Sequence, residues 1–586
     1  MNSKGGDFIV KKTDYKNVFV PEEWNEEQKM LKQMIFDFLD QEIHSLENEH
    51  QAAKDLPEII AILEKAAQLG LCGVAIEEKF GGSDLDFNTG LLYMEAFAYG
   101  FSFATTIGTH VSIGSLPIVY YGNEYQKEKY LPRIATAEIK TAYALTEPSA
   151  GSDANSGRTK ATLNKEKNCY LLNGQKMWIS NAGFADLFIV FAKIEDDDKL
   201  SAFIVEKEFG GITLGEEEKK LGIKGSSTRQ VFFEDCPVPA ENLLGNRNEG
   251  FKIALNILNS GRIKLSAAAL GGAKFGMRKA VSYANERKQF GKSIGEFTAM
   301  QFKIGEMARK IFAAESAIYR TGRNIDLKEI ELKKNGIPSN EVKLKALRDY
   351  TVECSLMKVY GSEVLDYCVD ESLQIHGGMG YSVETKIEMG YRDARITRIY
   401  EGTNEINRML SFGELMKKGF QTKEIDVKSV TKKIPIEILK KIIGIRNKTK
   451  IQFIDNFKYL FFILSKYVTD AYGRALENEQ EIIMNLADIL AEIYVLESTY
   501  LRVEKLKSQK DMSEEIKMKN NLSELQFYVS NSKILACSTL ILDSLPKKSS
   551  FLKFLIKLFT QKPGINPTLK RREIALFFIN NKNYFL

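Results

Sequence analysis

The stretch of sequence that most narrows the fold is Ile399-Tyr400-Glu401-Gly402-Thr403-Asn404, in a chain of 586 residues. It follows a basic stretch that contains Arg392, Arg395 and Arg398, and it places a carboxylate beside glycine between two helical segments. Taken alone, Glu401 is more simply a solvated loop residue than a catalytic group. The sequence around this stretch decides between the two interpretations.

The composition is that of a globular protein. Hydrophobic residues make up 44% of the chain and charged residues 27%, which provides ample apolar material for a core. The net charge of +5 is small for this length and does not favour a nucleic-acid partner, because binding a phosphate backbone needs clustered cations. Six scattered cysteines without a C-x-x-C pair and only four histidines favour neither a disulfide framework nor a metal site.

The sequence predicts a cytoplasmic protein. Residues 1–14 lack the apolar core of a secretory signal, and no run of about 20 apolar residues is present. Residues 551–559 alternate lysine with phenylalanine, leucine and isoleucine, so they could lie on the inner face of a membrane as a peripheral contact. A helix packed on its own domain is the simpler alternative for this segment.

Hydrophobic periodicity divides the chain into four regions. Residues 25–142 and 248–415 have the three- and four-residue apolar spacing of helices. Residues 143–247 contain short β-prone runs separated by turn residues. Residues 416–586 are again helical, with a wide face predicted to be buried at Ile482, Ile483, Leu486, Ile489, Leu490, Ile493 and Tyr494. The predicted fold class is therefore α+β, in four domains.

Several element boundaries can be predicted from local sequence. Asn25 can cap a helix, with Gln28 three residues later to close a capping box. A second helix is predicted to start near Pro57 and to end at Gly70. In the β region Asn173-Gly174 predicts a turn, and the charged residues 324–341 predict a surface connection between helices.

Four further segments combine glycine with polar, basic or aromatic side chains. They are residues 144–153 (ALTEPSAGSD), 176–181 (KMWISN), 285–292 (NERKQFGK) and 374–381 (QIHGGMGY). Dense glycine lets a backbone approach a ligand closely, and an arginine can clamp a phosphate. Each segment also has a plainer explanation on its own: turn chemistry, a core tryptophan, or a helix end with Gly291 as the stop.

Together, in this order and at these distances, the five segments resemble the acyl-CoA dehydrogenase family from about Trp24 to Phe412. Residues 209–213, 218–224 and 255–262, with the long C-terminal extension, are similar to its very-long-chain branch. The resemblance implies a helical N-terminal domain, a central β-barrel-like domain, a helical bundle domain with the catalytic base, and an extra C-terminal helical domain.

The resemblance also implies a reaction. Members of the family use FAD to convert an acyl-CoA into the trans-2-enoyl-CoA, the first step of fatty-acid β-oxidation. Glu401 matches the base that takes the Cα proton, while hydride leaves Cβ for flavin N5. Donors must stabilise the enolate oxygen, and the family uses the N–H of the base and a ribityl hydroxyl. Burial against the acyl chain is expected to raise the pKa of the base.

Cofactor contacts carry over by position, and part of the set belongs to the FAD of a neighbouring subunit. The implied cofactor residues are Thr146, Ser152, Trp178, Ser180, Arg287, Gln289, Phe290, Gln374, Gly377, Gly378, Thr403 and Asn404. The implied substrate residues are Ser152, Arg262, Tyr400 and Gly402. Gly402 keeps the backbone beside the base uncrowded.

The acyl cavity and the partners are expectations of the same kind. Residues 107–114 resemble the pocket-floor helix of very-long-chain members, where small residues such as Gly114 deepen the cavity, although Pro117 stands where a second small residue would be expected. We expect long-chain acyl-CoA as the substrate, electron-transfer flavoprotein as the acceptor and a homodimer. A DNA-associated flavoprotein, an assembly-type relative with secondary catalysis, and an acyl-CoA oxidase are the alternatives.

Overall fold

The computed structural model describes residues 4–45, 49–445, 449–509, 512–560 and 564–581. Within these residues the elements follow the predicted order of helical, β, helical and again helical segments, so the α+β multidomain class is confirmed. In this part of the chain no helix is long and apolar enough to cross a membrane.

The N-terminal region is helical, and its first cap is as predicted. Asn25 Oδ1 accepts from the Gln28 N–H at 2.8 Å, and Gln28 Oε1 accepts from the Asn25 N–H at 3.0 Å. Asp55 is non-helical, so the regular part of the second helix begins close to Pro57. The helices are α1 Glu26–Leu39, α2 Ala52–Gln68, α3 Phe87–Phe97, α4 Ser102–Gly108, α5 Leu116–Tyr121 and α6 Glu124–Ala135.

The middle region forms one mixed sheet. Its hydrogen-bonded order is β6-β7-β3-β2-β4-β5-β8, and both β1 and β2 run parallel to β4. The other strand pairs are antiparallel. The strands are β1 Thr141–Ala144, β2 Lys160–Asn164, β3 Cys169–Ser180, β4 Leu187–Ile194, β5 Leu200–Glu206, β6 Ile212–Leu214, β7 Thr228–Pro239 and β8 Leu243–Leu244.

The predicted turn at Asn173-Gly174 is wrong. The pair lies inside β3, where the register with β7 shifts between Leu172 and Gly174. Asn173 Nδ2 donates to Asp235 Oδ1 at 2.9 Å, and the Asp235 N–H donates to Asn173 Oδ1 at 2.9 Å. The two residues therefore stabilise an irregularity between neighbouring strands, which a local turn pattern cannot reveal.

A helical bundle follows the sheet. Two helices of 37 residues, α7 and α8, are joined by a short hairpin of β9 Lys288–Gln289 and β10 Lys292–Ser293. The helices of this region are α7 Gly250–Glu286, α8 Thr298–Lys334, α9 Ser339–Asp349, α10 Thr351–His376, α11 Gly378–Tyr381, α12 Ile387–Ala394 and α13 Asn404–Met416.

Two boundary predictions in the bundle are wrong. The charged stretch 324–341 is not a connection, because α8 continues to Lys334 with Ile325 buried on its core side, and only residues 335–338 separate α8 from α9. Gly291 is not the stop of α7, which ends at Glu286. With Phe290 it forms the hairpin turn, and the positive φ of both residues (+52° and +80°) is typical of that turn type.

The last region is helical throughout its described residues. The predicted buried face of α17 is confirmed at Ile482, Leu486, Ile489 and Ile493, and this helix packs on α18 and on α8 of the bundle. The helices are α14 Val427–Thr431, α15 Ile434–Ile442, α16 Lys450–Tyr472, α17 Gln480–Gln509, α18 Glu514–Ser544, α19 Ser550–Phe559 and α20 Pro567–Asn580.

The apolar core links these regions. One cluster of buried side chains is continuous through α1–α4, the bundle and the C-terminal helices. A second cluster joins one face of the sheet to α5, α6 and the start of α7, and a third fills the opposite face. The N-terminal helices, the sheet and α7 therefore meet at one place, and the segment with Glu401 lies beside it.

Candidate active site

A cavity of about 210 Å³ lies at this junction. Glu401 and Tyr400 line it from the segment before α13, and Ser180 lines it from the end of β3. One face of α7 supplies a wall of small and apolar residues at helical spacing, among them Gly261, Leu265 and Ala268. The cavity is therefore largely apolar, and two carboxyl groups line it, those of Glu401 and Asp393. Asp393 accepts from the Ile223 N–H, so its carboxyl group is engaged by the backbone.

The Glu401 carboxyl group is poised for proton transfer near neutral pH. Burial raises the pKa of Glu401 from its ordinary 4.5 to about 7, against the opposing charges of Arg262 and Lys358. Its Oε2 atom is buried and has no hydrogen-bond partner among the described residues. A raised pKa and an unpartnered carboxylate oxygen, on a residue that lines a cavity, are properties expected of a general base.

The backbone at Glu401 is held in an unusual conformation. Glu401 has φ of +57° and Gly402 has φ of +79°, which for Glu401 is a conformation that non-glycine residues rarely adopt. Arg262 Nε donates to the Glu401 carbonyl at 3.3 Å, and Lys358 Nζ donates to the Gly402 carbonyl at 2.7 Å. Asn407 Nδ2 also donates to the Gly402 carbonyl, at 2.8 Å. Both cations therefore bind main-chain oxygens and leave the carboxylate free.

Gly261 on α7 makes room for the carboxyl group. A Cβ atom at Gly261 would lie 2.6 Å from Glu401 Oε2 and 2.8 Å from its Cδ. Contacts this short are not tolerated, so a larger residue would force Glu401 to move. Because Gly261 has no side chain, the Glu401 carboxylate can lie directly against α7 in the wall of the cavity.

The loop after β1 and the end of β3 form a joined polar wall. The Met177 N–H donates to the Thr146 carbonyl at 2.9 Å, which brings the two segments together. Glu147 and Lys176 form a buried ion pair of 2.7 Å behind this contact. Burial tends to raise the pKa of Glu147, but Lys176 and further hydrogen bonds hold it below its ordinary value. The ion pair therefore fixes the loop that carries Thr146.

The exposed indole of Trp178 fits a flat cofactor. Trp178 is 53% exposed although it lies in β3, and its φ is +61°. Such a large aromatic surface is rarely left in water without a ligand or partner. Ser180, two residues later, lines the cavity, whereas Ser152 lies exposed on the loop and does not. Thr146, Trp178 and Ser180 can therefore contact one planar ring system beside Glu401.

A second group of predicted cofactor residues lies on the surface, away from Glu401. The ends of α7 and α10 meet where the rings of Tyr283 and His376 stack at 4.3 Å. Phe290 in the hairpin after α7 is 93% exposed, and a Cβ at Gly377 or Gly378 would meet no described atom within 4 Å. The exposed residues of this surface are Arg287, Gln289, Phe290, Gln374, Gly377 and Gly378.

Thr403, Asn404, Arg262 and Tyr400 lie close to Glu401 in different ways. Thr403 caps α13, accepting from the Ile406 N–H at 3.3 Å. The Asn404 side chain is buried and accepts from Lys358 Nζ at 2.8 Å, so it supports the Glu401 segment from behind. Arg262 is buried and bonds the Glu401 carbonyl, while Tyr400 lines the cavity.

The predicted role of Gly114 in the cavity floor is wrong. The cavity is lined by Gly108, Thr109 and Ser112 of the same segment but not by Gly114. A Cβ at Gly114 would lie 2.2 Å from Thr141 Oγ1, so its small size serves close packing against β1. Pro117 is buried in α5 and does not line the cavity either.

No sequence pattern indicated Gly261, Lys358, Asn407 or the Glu147–Lys176 pair as site residues. Glu147 and Lys176 stand inside the segments 144–153 and 176–181, so a buried ion pair between them could have been predicted from the sequence. Lys358 is 43 residues from Glu401 and no local pattern links them. Lys358 reaches the Gly402 carbonyl because α10 packs against α13.

Four family models match the chain, and together they cover most of it. The N-terminal, middle and C-terminal domains of acyl-CoA dehydrogenase match residues 25–138, 142–236 and 248–414. A further model, also described as an acyl-CoA dehydrogenase C-terminal domain, matches residues 456–539. The region beyond α13, which carried no recognisable motif, is thus part of a known domain type.

Similar proteins agree with these models. A probable acyl-CoA dehydrogenase of Bacillus subtilis is 39% identical over 99% of this chain and 98% of its own length. The rat very long-chain specific enzyme is 41% identical over 59% of this chain, and the match spans about half of that protein. The Caffeyl-CoA reductase-Etf complex subunit CarC of Acetobacterium woodii is 36% identical over 67% of this chain and 100% of its own length.

A solved structure covers the whole architecture. The acyl-CoA dehydrogenase of Bacillus anthracis, complexed with FAD, has a TM-score of 0.94 and 39% identity, and the match covers both chains fully. The chain belongs to the FAD-dependent acyl-CoA dehydrogenase family, and the resemblance to its very-long-chain branch is supported.

Proposed function

We propose that this protein dehydrogenates long-chain acyl-CoA at the Cα–Cβ bond to the trans-2-enoyl-CoA, with Glu401 as the base. The observation that carries the proposal is the carboxyl group of Glu401, a residue that lines a largely apolar cavity: its Oε2 is buried without a partner, and its pKa is raised to about 7. Such a base is about half ionised at neutral pH, and in its ionised form it can remove a weakly acidic proton next to a thioester.

The residues of this chain supply the proton chemistry. Glu401 takes the proton from Cα, and negative charge then develops on the thioester oxygen. Among the described residues no acceptor lies within hydrogen-bonding distance of the Glu401 N–H, so this donor is available to that oxygen. FAD, when bound, supplies the acceptor for the hydride that leaves Cβ. Arg262 and Lys358 hold the carbonyls of Glu401 and Gly402 and so keep the base and its N–H in place.

We infer that FAD is held by two surfaces. Thr146, Trp178 and Ser180 lie beside the cavity and are suited to the flavin ring, with Ser152 further out on the same loop and Thr403 and Asn404 behind Glu401. The second surface is the exposed group on the ends of α7 and α10, with its arginine and glycine turn. Because that surface lies away from Glu401, it serves the cofactor of a second subunit, and a homodimer follows.

The electron acceptor and pathway follow from the proposed reaction. Reduced flavin must pass its electrons on before another turnover, and a relative of this chain is named as part of a complex with Etf. We propose electron-transfer flavoprotein as the acceptor and fatty-acid β-oxidation as the pathway. The apolar wall of α7 favours a long hydrocarbon chain over a short one.

A specific surface favours peripheral membrane contact in the C-terminal region. On α15 the side chains of Ile436, Leu439 and Ile443 are between 57% and 64% exposed, and they share one face. On α19 Phe551 is 54% exposed, and the opposite face of this helix is buried against its own domain. Lys441 lies 5.4 Å from the Phe559 ring, so α15 and α19 are adjacent. We propose that they contact the cytoplasmic face of a membrane together.

The base assignment is tested with Glu401→Gln and a matched control, Glu405→Gln. Glu405 is an exposed carboxylate in the first turn of α13 and does not line the cavity. Purified protein should be yellow, and palmitoyl-CoA should bleach the flavin anaerobically. Glu401→Gln should retain FAD and slow bleaching at least about a thousand-fold, whereas Glu405→Gln should bleach like the wild type. Bleaching that survives Glu401→Gln would remove Glu401 from the reaction.

The same samples separate the alternatives. Rapid peroxide formation in air after reduction would indicate an oxidase in place of a dehydrogenase. Retention on DNA that weakens with salt, without bleaching by any acyl-CoA, would indicate the DNA-associated class. For the membrane contact, sedimentation with anionic phospholipid vesicles should be lost when Ile436 and Phe551 are both changed to serine, with FAD content unchanged.

A further inference from the structure

The wall that α7 gives to the catalytic cavity contains one charged side chain. Apart from Lys264, the α7 residues that line the cavity are glycine, alanine, leucine and phenylalanine. Lys264 follows Gly261 by one helical turn, so it points to the same face as the residue that touches Glu401. A lysine in an otherwise apolar wall is costly unless its ammonium group reaches a polar environment.

A second cavity of about 200 Å³ lies behind this wall. Met94 of α3 and Lys264 line both cavities, so their side chains separate one from the other. Charged and apolar side chains together line the second cavity, and it does not contain Glu401. Its charged lining includes Asp84, Asp86, Arg323, Asp326, Glu329 and Lys343.

The Lys264 side chain lies between the two cavities, because it lines both. Burial lowers the pKa of Lys264 to about 8, with a further contribution from Lys343, which lines only the second cavity. Among the described residues Lys264 has neither a counter-charge nor a hydrogen-bond partner, so no polar contact holds its side chain in the wall. On the side of the catalytic cavity it stands beside Leu265.

Met94 completes the partition from the opposite side. A Cβ at Gly108, which lines the catalytic cavity, would lie 3.1 Å from Met94 Cε. The end of the Met94 side chain therefore rests against α4 at the edge of the cavity. Both halves of the partition are flexible side chains, so truncating either is expected to widen the passage between the two spaces.

We propose that Lys264 and Met94 form the distal wall of the acyl cavity and that the stem of Lys264 sets the longest acyl chain the enzyme accepts. The proposal rests on the proposed function, because it assigns the cavity beside Glu401 to the acyl chain. It makes Lys264 a specificity-determining residue for straight-chain acyl-CoA.

The test compares Lys264→Ala and Lys264→Met with the wild type, all loaded with FAD. Anaerobic flavin bleaching is measured with saturated acyl-CoAs from butanoyl to eicosanoyl. Lys264→Ala should move the preferred length upward by about two to four carbons, because it removes a stem of similar length from a close-packed wall. Lys264→Met keeps most of the stem without the charge, so it should retain the wild-type length optimum. Lys343→Met, which changes only the second cavity, is the matched charge control and should also retain it.

Two outcomes would overturn the proposal. One is an unchanged length profile in Lys264→Ala, and the other is an equal shift in Lys264→Met and Lys264→Ala. If Lys264→Ala does not retain FAD, Met94→Ala opens the same partition and should shift the optimum in the same direction. If no acyl-CoA bleaches the wild-type flavin, the proposed function fails; calorimetric binding of the same series still tests the wall, and identical length dependences in wild type and Lys264→Ala would overturn it.

Discussion

Two buried carboxyl groups in this molecule have pKa values that are shifted in opposite directions. Glu401 lines the cavity, and Glu497 lies in α17 where the C-terminal helices pack on the bundle. Burial raises the pKa of Glu401 to about 7. Glu497 is also fully buried, and burial alone would raise its pKa, but Lys458 and Arg320 hold it below the ordinary value. Burial by itself therefore does not explain which carboxyl group is a base near neutral pH.

The difference lies in what the neighbouring cations touch. Each carboxyl group has one lysine and one arginine beside it. At Glu497 both cations contact the carboxylate, with Arg320 Nη2 at 2.8 Å and Lys458 Nζ at 2.5 Å. At Glu401 the corresponding cations donate to main-chain carbonyls, and Oε2 is left without a partner. The protein thus stabilises the Glu497 carboxylate by direct pairing. It keeps the Glu401 carboxylate reactive because the neighbouring cations bind main-chain carbonyls instead.

The largest effect on this comparison is expected from Glu497→Gln. The substitution leaves Arg320 and Lys458 buried without their counter-charge, so it should lower the free energy of unfolding by about 3–5 kcal/mol. Urea unfolding followed by circular dichroism measures the loss. The rate of flavin bleaching per folded molecule should stay close to that of the wild type, since Glu497 does not line the cavity.

Glu504→Gln is the control for that prediction. Glu504 lies on the same helix and pairs with Lys507 at 3.2 Å, but both side chains are about 30% exposed. An exposed pair contributes little, so the change in unfolding free energy should be within about 0.5 kcal/mol. Equal losses in the two variants would show that burial of the Glu497 pair does not decide its contribution.

Gly261→Ala tests the other carboxyl group of the comparison, Glu401, by changing its position. The added Cβ would lie 2.6 Å from Glu401 Oε2, so the carboxylate must leave its position. A displacement of about 1 Å of a catalytic group can cost roughly a hundred-fold in rate. Stopped-flow flavin reduction should show this loss while FAD content is retained.

Gly413→Ala serves as its matched control, a glycine in α13 whose Cβ would meet no described atom within 4 Å. It should leave the rate of flavin reduction unchanged. A full rate in Gly261→Ala would contradict the idea that this glycine positions Glu401.

The sequence predicted the parts of this molecule that depend on neighbours along the chain. The capping box at Asn25 and the buried stripe of α17 are local patterns, and both are present. The pair Asn173-Gly174 was misread because its partner, Asp235, lies on another strand. Gly114 was misread for the same reason, since the contact that requires its small size is with Thr141.

In the candidate site, too, the features that depend on local sequence could be predicted and those that depend on tertiary contacts could not. Glu401 was recognisable from its motif, because the family resemblance identifies the segment. The free carboxylate oxygen was not, since it depends on Arg262 and Lys358 reaching the main chain from two other helices. The sequence could therefore name the base and the direction of its pKa shift, but it could not show which atoms bind the neighbouring cations, because pairing is a tertiary property.

The rate of flavin reduction should depend on pH through Glu401. The base accepts a proton only when it is ionised, and its pKa is about 7. The rate should therefore fall about ten-fold per pH unit below 7 and level off above it. The pH range from 5 to 8 extends roughly two units below and one unit above this pKa. A rate that does not change across this range would exclude Glu401 as the titrating base.

Stability supplies an independent readout of the same group. Because folding raises the pKa of Glu401 from 4.5, its contribution to stability is fully present below pH 4.5 and is lost as pH rises through about 7. Glu401→Gln cannot ionise, so it should be more stable than the wild type above pH 7 and equal to it at low pH. Thermal melting at both ends of this range measures the difference.

The smallest effect is expected from Lys358→Met. This substitution tests whether the hydrogen bonds from a cation to the backbone contribute to the rate. Lys358 Nζ donates to the Gly402 carbonyl at 2.7 Å and to Asn404 Oδ1 at 2.8 Å, so its loss should loosen the Glu401 segment and lower the rate about ten-fold. The charge of Lys358 also lowers the pKa of Glu401, so the pH range over which the rate falls should move to higher pH in the variant.

A lower rate without this shift in pH dependence would mean that Lys358 acts on geometry alone. A shifted pH dependence with an unchanged maximal rate would mean that only the charge of Lys358 acts on the base. Both effects together are expected, because in this site a single cation supports the backbone and faces the carboxylate that it does not pair with.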